Sequence, residues 1–283
     1  MTTSAFAPAK LNLFLHVGPV RRDGFHPVCS LMAFADLGDR LSAAPAQAFG
    51  LQVVGPHAAG APADEGNLVM RAARALFARA GVEAPGLRLT LDKQLPVAAG
   101  LGGGSSDAAA AMKLLREQMA LDIGDETLEE IAAALGSDVP VCLRGVSTLG
   151  EGRGEVLRPG PGLPPLHAVL LDPGVGSSTP AVYRAYDEMG APGAADRPAM
   201  PAAFATVEEV AGLLERTRND LEAPAVALEP RIGEALETLR GQPETLFARM
   251  SGSGSSCFAI CADAAGAASL AVRLAGARAC RLA

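Results

Sequence analysis

The chain of 283 residues contains no tryptophan, and only 4% of its residues are aromatic. Each aromatic side chain outside an apolar segment is therefore informative about ligand binding. No C-x-x-C pair occurs, and the five cysteines form an odd set that lies mostly in apolar runs: Cys29, Cys142, Cys257, Cys261 and Cys280. This pattern predicts buried thiols in a reducing compartment and disfavours a disulfide framework or a zinc site.

A basic leader and a long apolar run are also missing. The opening segment MTTSAFAPAKLNLFLHV lacks a basic stretch followed by a long apolar one, and no later stretch is apolar for long enough to span a membrane. We therefore expect a cytoplasmic protein with no membrane partner. The formal net charge of −7 argues against a nucleic-acid surface, so an anionic ligand must be bound by local dipoles and a few cations.

The apolar content of 49% is enough for one large domain or two ordinary ones. Alternating apolar residues predict strands at 5–17, 28–35, 87–91 and 167–171, and caps predict helices from Asn67 to Gly81 and over 125–135. A glycine-serine turn between two strands is predicted within 245–262, and a loop over 190–205. Because 157–166 is rich in proline and glycine, we exclude regular elements there and predict domains at 1–158 and 159–283.

The segment PVAAGLGGGSSDAAAAM, residues 96–112, has four glycines between a predicted strand and an alanine-rich helix. It lacks the lysine of a Walker loop, and its ending in serine disfavours a dinucleotide fingerprint. Bare amides before a helix that begins near Ser105 predict an anion-binding nest, with the Ser105 and Ser106 hydroxyls available to a phosphate or its metal. A flexible loop or a close helix-packing site remains the alternative.

Residues 96–106 resemble the central phosphate-binding motif of the GHMP kinases, the superfamily of galactokinase, homoserine kinase and mevalonate kinase. Two further motifs stand in the corresponding order, Pro8-Ala-Lys-Leu-Asn12 and Met250-Ser-Gly-Ser-Gly-Ser-Ser-Cys257. Finer features resemble the branch that acts on a cytidine-diphosphate-linked methylerythritol in the non-mevalonate isoprenoid pathway. These features are Arg22-Asp-Gly-Phe-His26, Gly136-Ser-Asp-Val-Pro140 and Arg218-Asn-Asp-Leu-Glu222.

The resemblance implies an α+β fold of two domains with the active site in the cleft between them. The N-terminal domain is ribosomal-protein-like and has a left-handed βαβ crossover, and the C-terminal domain is ferredoxin-like. The general rule favours right-handed crossovers, so the handedness depends on the family resemblance alone.

The resemblance also implies an ATP-dependent phosphorylation of a tertiary hydroxyl, the 2-hydroxyl of the substrate, with Mg²⁺ held mainly by the ATP phosphates. Asp138 would be the general base, and Lys10 would keep it ionised and stabilise the developing charge. Taken alone, Lys10 could be a solvated lysine and Asp138 a turn residue. The nucleotide would be bound by Pro96, Val97, Ala98, Ala99, Gly100, Leu101, Gly102, Gly103, Gly104, Ser105 and Ser106.

Four residues are the candidates for binding the cytidine-linked substrate: Asn12, Phe25, His26 and Tyr183. The resemblance implies that Phe25 stacks on the cytosine, although the family usually has tyrosine there, and that His26 hydrogen-bonds the edge of the base. Tyr183 is a candidate for the second face of the base, or it packs on Tyr186. Asn12 orients the substrate or Lys10. We expect a monomer or a weak homodimer.

Two other functions remain open. The chain could be a GHMP kinase of the homoserine or mevalonate type, or a non-catalytic binding protein on the same scaffold. The terminal motif at 251–255 could brace the first glycine segment or form only a tight turn.

Overall fold

The computed structural model describes residues 3–190 and 193–283, which form mixed helices and strands. The strands are β1 (Thr3–Val17), β2 (Val28–Pro45), β3 (Gly50–Val54), β4 (Leu87–Asp92), β5 (Thr148–Gly152), β6 (Val156–Pro159), β7 (Leu166–Leu171), β8 (Thr245–Met250), β9 (Cys257–Cys261) and β10 (Ala277–Leu282). The α-helices are α1 (Leu68–Ala80), α2 (Gly103–Gln118), α3 (Asp125–Leu135), α4 (Val139–Arg144), α5 (Thr179–Glu188), α6 (Val207–Glu215), α7 (Glu222–Leu228), α8 (Pro230–Arg240) and α9 (Ala264–Arg273).

Contacts between residues divide the chain into two compact units. Unit 1 consists of residues up to Ala9, Leu37–Val97 and Gly102–Gly145. Unit 2 consists of Lys10–Asp36, Ala98–Leu101 and Val146–Ala283. Each unit is assembled from separate segments, so these units are a different division from two consecutive domains. The domain boundary after residue 158 stays a prediction.

Unit 1 contains a βαβ arrangement. β3 and β4 are parallel, α1 connects them, and β4 pairs antiparallel with the second half of β2. The ends of α1 lie where the sequence predicts them, because the Asn67 side chain accepts a hydrogen bond from the backbone N–H of Val69 and Gly81 is left-handed. The apolar sides of α1 and α2 pack against each other. The handedness of the crossover stays a family expectation.

In unit 2, four strands of the sheet lie side by side in the order β10–β7–β9–β8, and each neighbouring pair is antiparallel. Along the chain, helices α5 to α8 follow β7 and precede β8, and α9 connects β9 to β10. This order of strands and helices is the ferredoxin-like arrangement, so the fold predicted for the C-terminal part is confirmed. Val169, Ile232, Leu236 and Leu270 contribute to its buried core.

Three boundaries differ from the sequence prediction. Strand β2 continues beyond residue 35 to Pro45, although Gly38 and Asp39 interrupt the apolar alternation. The segment 157–166, for which we excluded regular elements, contains the last three residues of β6 and the first residue of β7. Pro159 is tolerated because it stands at the end of β6, which pairs antiparallel with β5. Helix α2 begins at Gly103, two residues before the predicted start.

The sequence also predicted buried cysteines and a loop over 190–205. All five cysteines are buried, as predicted. Residues 193–205 contain no regular helix or strand, and residues 191 and 192 of the predicted loop lie outside the described residues. Among the helices that the structure describes, none is both long enough and apolar enough to cross a membrane.

Candidate active site

The glycine segment 98–102 alternates between left-handed and other backbone conformations. Ala98, Gly100 and Gly102 have φ values of 55°, 73° and 61°. Glycine adopts this conformation without strain, whereas alanine does so at a cost, so Ala98 is an unusual position. Alternation of this kind turns successive amides toward a common side of the backbone and makes a concavity that binds anions.

In unit 2, neighbouring residues hold all four carbonyl groups of residues 98–101. The backbone N–H groups of Ser177, Ser256 and Lys10 donate to the carbonyl oxygens of residues 98, 99 and 101 at 3.1, 3.0 and 2.8 Å. The Ser251 hydroxyl donates to the carbonyl oxygen of Gly100 at 2.9 Å. The terminal glycine-serine motif therefore braces this segment, which was one of the two alternatives for that motif.

Close packing explains why position 100 is glycine. A Cβ atom there would lie 2.8 Å from the carbonyl oxygen of Gly254 and closer still to that of Ser251, and the backbone is left-handed as well. Asn219 holds the opposing motif in place, because its side-chain amide donates to the carbonyl oxygens of Met250 and Gly252 at 2.9 and 2.8 Å. Asn219 belongs to the predicted motif 218–222.

The amide groups of the glycine segment are left without protein acceptors. Within the described residues, the backbone N–H groups of 98–105 donate no hydrogen bond to the protein, and the first to do so is that of Ser106. Gly103, Gly104 and Ser105 form the first turn of α2, where unpaired amides and the helix dipole favour negative charge. The Ser106 side chain is buried and its hydroxyl donates to the carbonyl oxygen of Pro8, whereas Ser105 is partly exposed.

Lys10 belongs to a network of buried polar side chains in unit 2. Its ammonium donates to the Asn12 side-chain oxygen at 2.8 Å, and the Asn12 amide donates to the Ser30 hydroxyl at 2.7 Å. The backbone N–H of Asn12 donates to the Ser251 hydroxyl at 3.1 Å. Lys10 is only 4% exposed. Asn12 therefore contacts the Lys10 ammonium directly, as the role of orienting Lys10 requires, and both predicted roles of Asn12 stay predictions.

Asp138 lies in unit 1 at the start of α4. It occupies the position before the first helical residue, yet its side chain makes no capping hydrogen bond to the helix. Pro140 stands in the first turn, and Gly145 ends the helix in a left-handed conformation. The carboxylate is partly exposed. The side chain is thus not used for capping, which is the structural role that a turn aspartate usually has.

The predicted cytosine-binding residues have different surroundings. The Phe25 ring is 52% exposed, and the Arg153 guanidinium lies over it at 4.7 Å from the ring centroid. The His26 ring lies 5.0 Å from that of Tyr183, so these two predicted residues are brought together. Tyr183 is partly buried, while Tyr186 is buried and donates its hydroxyl to the carbonyl oxygen of Val17.

The hydrogen bond at one nitrogen of His26 determines what the other nitrogen can do. Nδ1 lies 2.8 Å from the carbonyl oxygen of Gly18, which only accepts, so Nδ1 carries a proton. Nε2 lies 3.4 Å from the Asp187 carboxylate, and it is an acceptor only when it carries no proton. A neutral His26 can therefore accept a hydrogen bond from an amino group.

Sequence reasoning missed a buried ionic cluster in unit 1. Lys93 donates to Asp107 at 2.7 Å and to Asp39, and the three side chains are 0–3% exposed. Asp39 also accepts from the backbone N–H groups of Gln94 and Leu95. One signal was present, because Asp107 is the only charged residue of the alanine-rich segment 96–112.

An open cavity of about 460 Å³ in unit 2 contains none of the predicted site residues. Its lining includes Arg218, Asn219, Glu222, Arg240, Phe247 and Arg249. Burial lowers the pKa of Arg249 to about 10, and its guanidinium donates to the carbonyl oxygens of Leu13, Leu214 and Thr217. These contacts give Arg249 a structural role at the cavity wall.

Comparison with known proteins gives the family. The models for "GHMP kinases N terminal domain" and "GHMP kinases C terminal" match residues 67–146 and 199–278. The chain is 55% identical over 275 residues to a Caulobacter vibrioides protein named 4-diphosphocytidyl-2-C-methyl-D-erythritol kinase, covering 97% of this chain and 95% of that protein.

Two other similar proteins carry related names. A Hyphomonas neptunium protein, also named 4-diphosphocytidyl-2-C-methyl-D-erythritol kinase, is 49% identical over 260 residues, which are 91% of this chain and 86% of the relative. A crystal structure of 4-(cytidine 5'-diphospho)-2C-methyl-D-erythritol kinase is 35% identical with a TM-score of 0.79 and covers 99% of both chains. The chain therefore belongs to the GHMP kinase family, a family of small-molecule kinases that includes these relatives.

Proposed function

We propose that this protein transfers the γ-phosphoryl group of ATP to the 2-hydroxyl of 4-diphosphocytidyl-2-C-methyl-D-erythritol, a step of the non-mevalonate route to isoprenoid precursors. The names of relatives that share about half of its residues over nearly the whole chain support this substrate. The observation that carries the proposal is the set of backbone amides at 98–105, before and in the first turn of α2, for which the described part of the chain offers no acceptor.

These amides bind the ATP phosphates. The carbonyl groups of 98–101 already accept hydrogen bonds from neighbouring residues, so the backbone is held before the nucleotide arrives. A preorganised site avoids the cost of ordering a loop when the ligand binds. Ser105 adds a hydroxyl beside the phosphates, whereas the Ser106 hydroxyl serves the backbone of Pro8.

Asp138 accepts the proton of the substrate hydroxyl. The hydroxyl oxygen then bonds to the γ-phosphorus as the bond from that phosphorus to the bridging oxygen breaks, and ADP leaves with the electron pair. Lys10 stabilises the charge that develops on the transferred group. Because phosphoryl transfer depends mostly on alignment and charge stabilisation, a modest base is sufficient. Asn12, which aims the Lys10 ammonium, supports this role.

Mg²⁺ would arrive on the nucleotide. In the described part of the chain, no group of three or more histidine, cysteine or carboxylate side chains could hold a metal by itself. This fits a Mg²⁺ ion that is bound mainly by phosphate oxygens and water, which is its usual mode in kinases. When bound, the ion would neutralise phosphate charge, and Ser105 would offer it a hydroxyl, since the Ser106 hydroxyl donates to the carbonyl oxygen of Pro8.

Phe25, His26 and Tyr183 bind the cytosine. The exposed ring of Phe25 offers a stacking face, and His26, whose Nδ1 is bound to the carbonyl oxygen of Gly18, hydrogen-bonds the edge of the base through Nε2. Tyr183, beside His26, is the candidate for the second face. In this arrangement Arg153 must leave the face of Phe25 on which the base stacks, or stay on the opposite face.

The test is ADP release with a panel of alcohols. We expect turnover with the cytidine-linked methylerythritol and little with homoserine, mevalonate or galactose. Phosphorus NMR of the product then shows whether the new phosphate is on the tertiary carbon. Turnover of homoserine or mevalonate instead would assign another activity of this family, and ATP binding without turnover of any alcohol would support a binding protein.

A further inference from the structure

The buried cluster of Asp39, Lys93 and Asp107 lies at the two ends of the glycine segment. Lys93 stands three residues before Pro96, and Asp107 directly follows Ser106. The Lys93 ammonium joins them by donating to Asp107 Oδ2 at 2.7 Å. The ion pair between Lys93 and Asp107 therefore closes a loop of the 13 residues that lie between them in the sequence.

Asp39 fixes the entry to that loop. Its Oδ1 accepts from the backbone N–H groups of Gln94 and Leu95 at 2.6 and 2.8 Å, while Oδ2 accepts from Lys93. The first turn of α2 packs onto the same ammonium. A Cβ atom at Gly103 would lie 3.1 Å from Lys93 Nζ, which is tighter than almost all real contacts of that kind.

Stability alone is a poor reason for this cluster. Two carboxyl groups share one ammonium in a site where all three side chains are nearly inaccessible. Asp107 Oδ1 is buried and has no hydrogen-bond partner among the described residues, which is an unfavourable arrangement for a carboxylate. Well-packed apolar residues are often as stable as a buried ion pair, whereas an ion pair fixes geometry through directed hydrogen bonds.

We propose that Asp39, Lys93 and Asp107 are positioning residues that fix the first turn of α2 for binding of the nucleotide phosphates. The inference rests on the proposed function, because it assigns these amides to ATP. The cluster acts through the backbone and touches no substrate. Without the ion pair between Lys93 and Asp107, the first turn of α2 is free to shift and its amides lose their alignment with the phosphates. The contacts of the alcohol substrate stay in place.

The test compares three variants by calorimetric titration with a non-hydrolysable ATP analogue. Asp107→Leu removes the tie to α2 and leaves Lys93 paired with Asp39, so the dissociation constant is expected to rise about tenfold or more. Asp107→Asn keeps an acceptor for the ammonium and is expected to rescue most of the affinity. Arg116→Met removes the exposed ion pair with Asp125 at the other end of α2 and serves as the matched control.

A steady-state measurement separates positioning from general loss of structure. The KM for ATP rises in Asp107→Leu while the KM for the alcohol changes less than about twofold. If Asp107→Leu does not fold, the double variant Lys93→Met with Asp107→Asn removes the ion pair, while Asp39 still accepts from the backbone N–H groups of Gln94 and Leu95.

Two results overturn the inference and leave the proposed function standing. One is a folded Asp107→Leu protein with wild-type affinity, and the other is an equal loss of affinity in Arg116→Met. Wild-type protein that binds no ATP analogue overturns the proposed function and this inference together.

Discussion

Asp138 has the most specific role that we assign to a single side chain. It stands before α4, and its side chain makes no capping hydrogen bond to that helix. We predict that Asp138→Asn lowers kcat about 10²–10⁴-fold, the usual contribution of a general base, with little change in the dissociation constant of the ATP analogue. Asp125→Asn, at the first residue of α3, is the control. An Asp138→Asn protein that turns over at the wild-type rate would remove Asp138 from the chemistry.

Asp107 should make stability depend on pH. Burial raises the pKa of its carboxyl to about 7, although the charge of Lys93 opposes this, and the neighbouring Asp39 carboxylate raises it further. The folded protein then holds a proton between about pH 4 and 7 that the unfolded chain has lost, so the free energy of unfolding falls as pH rises through this window.

Urea unfolding at pH 5 and pH 8 measures this effect. We predict that the wild-type protein loses stability relative to Asp107→Asn between these values, because asparagine does not titrate. A difference between the two proteins that is the same at both pH values would contradict the assignment.

Among the helices and strands, the ends that could be predicted were those that are determined by neighbouring residues in the sequence. Asn67 and Gly81 mark the ends of α1 through their own side chain and backbone, and 125–135 was predicted as a helix from its acidic start and the glycine that follows it. The end of β2 was not predictable in this way. Gly38 lies against the backbone of Ala7, and the charge of Asp39 is compensated by Lys93, 54 residues away.

The candidate site also combines features that local sequence predicts with contacts that only the fold creates. The glycine segment and Lys10 lie in recognisable local motifs, so the sequence was sufficient to select them. The contacts that hold them come from distant residues, such as Ser251 and Asn219, and local patterns carry no information on such pairing. Pairing of this kind depends on the whole fold.

Gly100 provides the test at this scale. We predict that Gly100→Ala is destabilised by more than the 1–2 kcal/mol that a left-handed alanine costs, because its Cβ would also meet the backbone of the terminal motif. The affinity for the ATP analogue should fall with it. Thermal unfolding and calorimetric titration measure the two effects.

Gly124→Ala is the matched control for Gly100→Ala. Its φ is −69° and no atom lies within 4 Å of a Cβ at that position, so we expect a change of less than about 0.5 kcal/mol. Equal effects of the two substitutions would show that the terminal motif does not brace the glycine segment.

At the scale of the whole molecule, the α+β class and the ferredoxin-like order of unit 2 agree with what the family resemblance implies. The composition of the two units could not be obtained from the chain order, because each is built from separate segments. Proline and glycine between 157 and 166 indicated a boundary, yet β6 begins before that segment and ends within it. Composition indicates which secondary structure a segment favours by itself. Pairing with another strand can override that preference, as β5 does for β6.

The most direct measurement is a map of backbone amide shifts over the whole chain on titration with a non-hydrolysable ATP analogue. We predict that the largest changes in amide chemical shift fall on residues 98–105, whose amides have no acceptor among the described residues, with little change at Gly124 and Gly241. Large changes centred elsewhere, with the amides of 98–105 unmoved at saturation, would contradict it.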